Sequence, residues 1–276
     1  MKAFPLLAAC FIIVSCSHTV PYVYQRQTHE LLHSVVWMQR SAEYYASCET
    51  VYLGALDALD RALADSSWTA ASEQQRPFGN KPPAIIVDCD ETVLDNSAYE
   101  ARLILDKTSY PQGWDEWCSE EKAPALPGAL EYLKEADKRG VAIFYVTNRE
   151  AKLDECTWRN LRAMGFPQTA TAEQVLCKDK REGWGSDKST RREYIAQTHR
   201  IVQVAGDNLG DFIGYKETTE ARNALAKDYM AWWGSRWLML PNPAYGSWER
   251  ALLSFDNGLS DSLALRIKYD ALDPQR

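Results

Sequence analysis

From residue 84 onward, short apolar runs alternate with stretches of helical periodicity, and nothing else in the chain narrows the possible folds as far. The runs are "AIIVD" at 84–88, "VAIFYVT" at 141–147, "QVLC" at 174–177, "IVQVAG" at 201–206 and "WLML" at 237–240. Helical patterns fall between them, at about 128–139, 151–164, 187–198 and 218–233. Strands that are apolar on both sides, each followed by a helix, must be covered on both faces. The fold class is therefore α/β, with a doubly wound parallel sheet. Right-handed crossovers then bring every carboxyl strand end to one rim, where such sheets bind ligands. One connection is anomalous: about 35 residues, 93–127, follow the first strand, far more than a usual loop. An insertion of that length is expected to cover the rim.

Ahead of the sheet, Leu31, Val35, Met38, Ala42 and Tyr45 recur at three and four residues, which predicts a long helix from Thr28 to about Asp65. A break is expected near Gly54. Residues 66–83 carry Ser, Pro and Gly and read as a loop. The start, "MKAFPLLAACFIIVSCSH", has an early Lys and an apolar run too short to span a bilayer, the layout of a secretory signal. Its end resembles the bacterial lipobox, which would remove residues 1–15 and lipidate Cys16; a plain signal peptide is the alternative. Residues 16–27 are then a tether, 28–83 a helical segment and 84–276 the core. Ser17 after the Cys resembles an outer-membrane sorting signal, so the expected location is the cell envelope. Cys48, Cys89, Cys118, Cys156 and Cys177 remain, an odd set with at least one free thiol and no CxxC zinc pattern. The net charge of −7 argues against a nucleic-acid partner.

The strand ends carry the chemistry. Asp88 and Asp90 end the first strand two residues apart, so both can face one cleft while Cys89 packs behind. In an extended chain Glu91 points away from them. Asp95 is suited to capping the next segment, and the Thr92 hydroxyl to fixing the turn. Thr147 and Asn148 end the next strand, placed either to hold a phosphate oxygen or to cap a helix. Lys188 opens a helix and offers a cation, with Lys180, Arg181 and Arg191 as rivals. Asp207 and Asp211 follow the fourth strand, four apart. Four carboxylates at one cleft repel unless a divalent cation neutralises them, and all-oxygen ligands favour Mg²⁺ over Zn²⁺. One carboxylate could then attack phosphorus while a second, protonated one serves the leaving oxygen.

The ordered set "DCDET", "VTNR", a helix-opening Lys and "GDNLGD" resembles the haloacid dehalogenase superfamily. With the lipobox, "WDEWCSEEKAPALPGA" and "PNPAYGSW", the chain more narrowly resembles the bacterial class C nonspecific acid phosphatases. That resemblance implies Asp88 as nucleophile and Asp90 as acid/base, with Thr147, Asn148 and Lys188 on the phosphoryl oxygens. It implies Mg²⁺ on the Asp88 carboxylate, the Asp90 backbone oxygen, Asp207 and Asp211, and substrate stacking on Trp114 and Tyr245. It further implies a helical cap from 28–83 and 93–127, small phosphate monoesters such as nucleoside monophosphates as substrates, and a possible homodimer. Dehalogenases lack the second Asp and transport ATPases carry Thr there, so Asp90 favours ester hydrolysis, although phosphomutases keep both acids and are not excluded by this motif.

A rival motif is "HELLH" at 29–33, the HExxH pattern of zinc metallopeptidases. No upstream sheet or third ligand at a familiar spacing supports it. A non-catalytic surface lipoprotein is the third class, and the intact acids at every motif speak against it. His29→Ala is expected to leave phosphate release from an aryl phosphate unchanged, whereas a peptidase using HELLH would lose peptide turnover.

Overall fold

In the computed structural model, residues 29–168, 171–214 and 217–275 are described. The expected signal segment 1–15 and the expected tether 16–27, with Cys16, lie outside them. Leu31–Arg276 fold as one unit. Helices α1 (Leu32–Arg40) and α2 (Ala42–Ala64) come first, then strand β1 (Pro83–Val87). The insertion supplies α3 (Ser97–Asp106) and α4 (Trp114–Glu120). The alternating part continues as α5 (Ala129–Lys138), β2 (Ala142–Glu150), α6 (Asp154–Met164), β3 (Val175–Lys178), α7 (Ser189–Ala196), β4 (Arg200–Gly206), α8 (Thr219–Asp228) and β5 (Trp237–Met239). Two short helices, α9 (Ser247–Leu252) and α10 (Asp261–Asp270), end the chain.

The five strands form one parallel sheet in the order β3-β2-β1-β4-β5. β1 is central, and the later strands build outward first on one side and then on the other. The switch in direction lies between β1 and β4, the place where such sheets leave a crevice at their carboxyl ends. Alternation along β1 separates two cores: Ile85 and Val87 join one with Tyr52, Leu59, Tyr132 and Tyr145, while Ala84 and Ile86 join the other with Val204, Phe212 and Trp237. α2 lies on α5 and reaches β4 and β5, and α1 packs on α3. Cys48, Cys89, Cys118, Cys156 and Cys177 are all buried and unpaired.

The N-terminal helix breaks at Ser41 rather than near Gly54. Ser41 is extended, with ψ 140°, and its hydroxyl accepts the Tyr44 N–H, so it caps α2. Gly54 sits exposed within α2 with nothing close enough to require a glycine, which explains why the helix runs through it. Within the insertion, Asp95 Oδ1 accepts the Ser97 N–H at 2.8 Å and opens α3. The Thr92 hydroxyl, by contrast, is buried without a partner; the turn is held through its carbonyl, which accepts the Tyr52 hydroxyl at 2.6 Å.

Glu100 on α3 is 6% exposed, and burial alone pushes its carboxyl from 4.5 up to about 7. A carboxyl whose pKa is higher folded than unfolded binds more protons when folded, so the stability it leaves intact in acid is lost as pH rises from about 4.5 to about 7. At about 1.4 kcal/mol per unit the loss is roughly 3 kcal/mol. Glu100→Gln is expected to match the parent protein in chemical denaturation at acid pH and to be more stable, by up to about 3 kcal/mol, above neutrality.

Candidate active site

Asp88 follows directly on β1, and its N–H donates to Ala205 O at 3.0 Å, tying it to β4. Its carboxylate is 9% exposed. Lys188, at the N-cap of α7, places Nζ 2.6 Å from Asp88 Oδ1 and 2.6 Å from Asp211 Oδ1. The Lys188 ammonium is thus shared between the two carboxylates, one of them the buried Asp88. Burial, with Asp211 and Asp90 nearby, pushes Asp88 up to about 7 against the opposing pull of Lys188. Burial raises Asp207 well above the carboxylate range as well, helped by Asp211 and Asp88. Lys188 is also buried, which would lower it, but its two carboxylates hold it above the usual lysine value.

Asp211 ends a short 3-10 turn, Leu209–Asp211, in a capping box: its Oδ2 accepts the Asn208 N–H at 2.9 Å, and Asn208 Oδ1 accepts the Gly210 N–H at 3.3 Å. Ligand atoms of Asp88, Asp207 and Asp211 all lie within 4.8 Å of one another, the one such group among the described residues. An all-carboxylate donor set of this kind fits a hard divalent cation.

Asp90 faces the same rim and is gripped by Arg149 through Nη2 at 2.8 Å and Nε at 3.0 Å. β2 continues through Thr147 and Asn148 to Glu150, so neither residue caps a helix. The Thr147 hydroxyl accepts the Arg149 N–H at 3.1 Å and reaches Asp90 Oδ2 at 3.3 Å. The Asn148 amide is committed elsewhere: Oδ1 accepts from Arg191 Nη2 at 2.6 Å, and Nδ2 donates to Ser186 O at 3.0 Å. What Asn148 presents to the cleft is therefore its backbone. The rivals of Lys188 are likewise occupied. Lys180 pairs with Asp154 at 3.1 Å, Arg181 lies over Trp184 and Tyr194, and Arg191 is buried against Thr147 O at 2.6 Å.

Residues 14–248 match the family described as HAD superfamily, subfamily IIIB (acid phosphatase). The chain belongs to that family. The class C acid phosphatase of Bacillus anthracis superposes with a TM-score of 0.78 at 37% identity, over 88% of this chain and 96% of that one. Its tungstate-bound form does so at 36% identity over the same shares. The stem 31 kDa glycoprotein of Glycine max is 30% identical over 165 residues, 58% of each chain. The chain spans about half the length of the curated relatives it matches.

Within this HAD-family rim the two aromatic candidates lie on separate elements, one on a helix and one on a loop. Trp114 opens α4 and meets Tyr99 and Tyr110 edge-on at 5.0 and 6.0 Å, with the Arg149 guanidinium 5.3 Å from its ring. Tyr245 is half-buried on the loop after β5, where Asn242 accepts its N–H at 3.3 Å and donates to Asp207 Oδ2 at 2.8 Å. Both positions adjoin the carboxylates through one intermediate side chain. The HELLH histidines do not form a helical pair, because α1 opens at Leu32 and His29 precedes it. Leu31 is half-buried against the core, while Leu32 and His33 are exposed.

Several polar residues that complete the site carry no sequence signal of their own. Arg149 lies inside "VTNRE", where Thr147 and Asn148 are the more obvious phosphate ligands. Asn96 and Asn242 look like ordinary turn residues. Glu91 does not continue the strand: it turns with φ 49°, is fully buried, and accepts the Asn96 N–H at 2.7 Å. Gly206 is the one glycine here whose lack of a side chain is required, since a Cβ would overlap the Asp211 carboxyl. Gly206→Ala is expected to push Asp211 out of the cluster and weaken the binding of a divalent cation about 10- to 100-fold by titration calorimetry, with the fold retained.

Proposed function

We propose that this protein is an exported, Mg²⁺-dependent phosphomonoesterase that hydrolyses small phosphate esters, nucleoside monophosphates foremost, through a phosphoryl group carried on Asp88. The observation that carries this reading is the division of labour between two carboxyls at one strand end. Asp88 lies in the carboxylate cluster against Lys188, and Asp90, two residues on, stands outside it in the grip of Arg149. Two carboxyls in such different surroundings can serve as nucleophile and proton donor. The family and the Bacillus anthracis homologue are acid phosphatases, and the homologue's complex with tungstate, a tetrahedral oxyanion like phosphate, supports an oxyanion site in this architecture.

In this mechanism Asp88 attacks phosphorus as Asp90 protonates the ester oxygen that leaves. Asp90 then takes a proton from the water that attacks the phosphorylated Asp88, returning both groups to their starting state. Lys188 and the Thr147 hydroxyl, with backbone N–H groups at the end of β2, orient the phosphoryl oxygens. Asp88, Asp207, Asp211 and the backbone oxygen of Asp90 would hold the divalent cation. When bound, it supplies the positive charge that keeps Asp88 ionised and balances the phosphoryl oxygens. Trp114 and Tyr245 present ring faces suited to a nucleobase. α3 and α4, with α1 packed on α3, serve as the cover over the cleft, while α2 lies on a face of the sheet. Lipidation of Cys16 would tether the enzyme in the cell envelope, as a monomer or a homodimer.

Phosphate release from p-nitrophenyl phosphate and a nucleotide is expected to be abolished by EDTA, restored by Mg²⁺, and lost in Asp88→Asn. Asp90→Asn is expected to slow turnover by roughly 10²- to 10⁴-fold. Full activity in EDTA, or in Asp88→Asn, would overturn the reading.

A further inference from the structure

The two oxygens of Asp90 are treated unequally by their surroundings. Oδ1 accepts three close hydrogen bonds, from Asn96 Nδ2 at 2.8 Å, Arg149 Nη2 at 2.8 Å and Arg149 Nε at 3.0 Å. Oδ2 has two long ones, from Thr147 Oγ1 at 3.3 Å and Arg149 Nε at 3.3 Å. An oxygen crowded by N–H donors has no neighbour to accept a proton placed on it. Resting on the acid/base role proposed for Asp90, we infer that Arg149 and Asn96 are positioning residues that fix its carboxyl with the transferable proton on Oδ2.

Both residues are themselves held. Arg149 Nη1 donates to Thr157 Oγ1 at 3.1 Å, and that hydroxyl donates to Leu153 O at 2.7 Å. The side chain is 1% exposed, so Arg149 reaches the reaction through Asp90 and does not touch phosphate. The amide orientation of Asn96 is determined by a neighbour that can only donate. Trp117 Nε1 gives its hydrogen to Asn96 Oδ1 at 2.8 Å, which turns Nδ2 toward Asp90.

The consequence is directional. In the first step the Oδ2 proton passes to the ester oxygen as the bond from that oxygen to phosphorus breaks, its electron pair staying with oxygen, and the Asp88–phosphorus bond forms. In the second, Oδ2 takes a proton from water as the water oxygen bonds to phosphorus and the bond to Asp88 breaks. Between the two steps Arg149 balances the charge left on Asp90. A carboxyl free to rotate would spend much of its time with the proton out of line, a loss felt in turnover and not in substrate binding.

The test compares an alkyl phosphate, whose alkoxide must be protonated to leave, with p-nitrophenyl phosphate, whose phenolate leaves unaided. Arg149→Ala is expected to lower kcat on the alkyl ester about 10- to 100-fold more than on the aryl ester, with KM for each within about twofold and partial rescue by added guanidinium. Asn96→Ala keeps the Arg149–Asp90 pair and is expected to show the same bias more weakly; it decides the matter alone if Arg149→Ala does not fold. Equal losses on both esters, or a change confined to KM, overturn the assignment. Asp90→Asn separates the two readings. If it treats both esters alike, the acid/base role has failed; if it shows the bias and the other variants do not, only the positioning role has.

Discussion

Asp88, Asp207 and Asp211 bring carboxylate oxygens within 4.8 Å of one another in a nearly buried place. Two unit charges about 4 Å apart repel by about 4 kcal/mol at the effective dielectric of a protein surface, and three make three such pairs. The rest of the architecture holds that arrangement in place. β1 is paired on both sides, so the chain from which Asp88 emerges cannot drift away from its neighbours. The ammonium of Lys188 sits between Asp88 and Asp211, and Asp211 is also bound to the backbone of its own turn. Burial, and after it the repulsion between neighbouring carboxylates, pushes Asp88 and Asp207 up, and a divalent cation would offset both costs.

Asp90 is handled on different terms. Its charge is met by a buried guanidinium instead of a shared metal cluster, and the guanidinium is anchored through Thr157 to the first turn of α6. Elements distant in sequence thus meet at one carboxyl: β1, the insertion through Asn96, and β2 through Arg149. The same guanidinium lies beside Trp114 at the start of α4. The long insertion therefore contacts a side chain on the core directly, through Asn96.

The sheet was legible because its strands are short, apolar and evenly spaced. A parallel strand buried on both faces has no other way to be written. The carboxylates were legible because charges at the end of such strands have no structural reason to be there. What stayed hidden has a common cause. The break at Ser41 depends on a side-chain cap, while Gly54 is an obvious breaker that tertiary packing overrides. Glu91 read as extended because nothing in "DCDET" announces a residue in the left-handed region. Arg149, Asn96 and Asn242 gain their meaning only from partners between 6 and 59 residues away, a relation that no local pattern encodes.

The five buried, unpaired thiols bear on how such a chain can travel. A protein stapled by disulfides is tied to compartments that can oxidise it, whereas this core closes by packing alone. The folded body is thereby indifferent to whether its surroundings are oxidising or reducing.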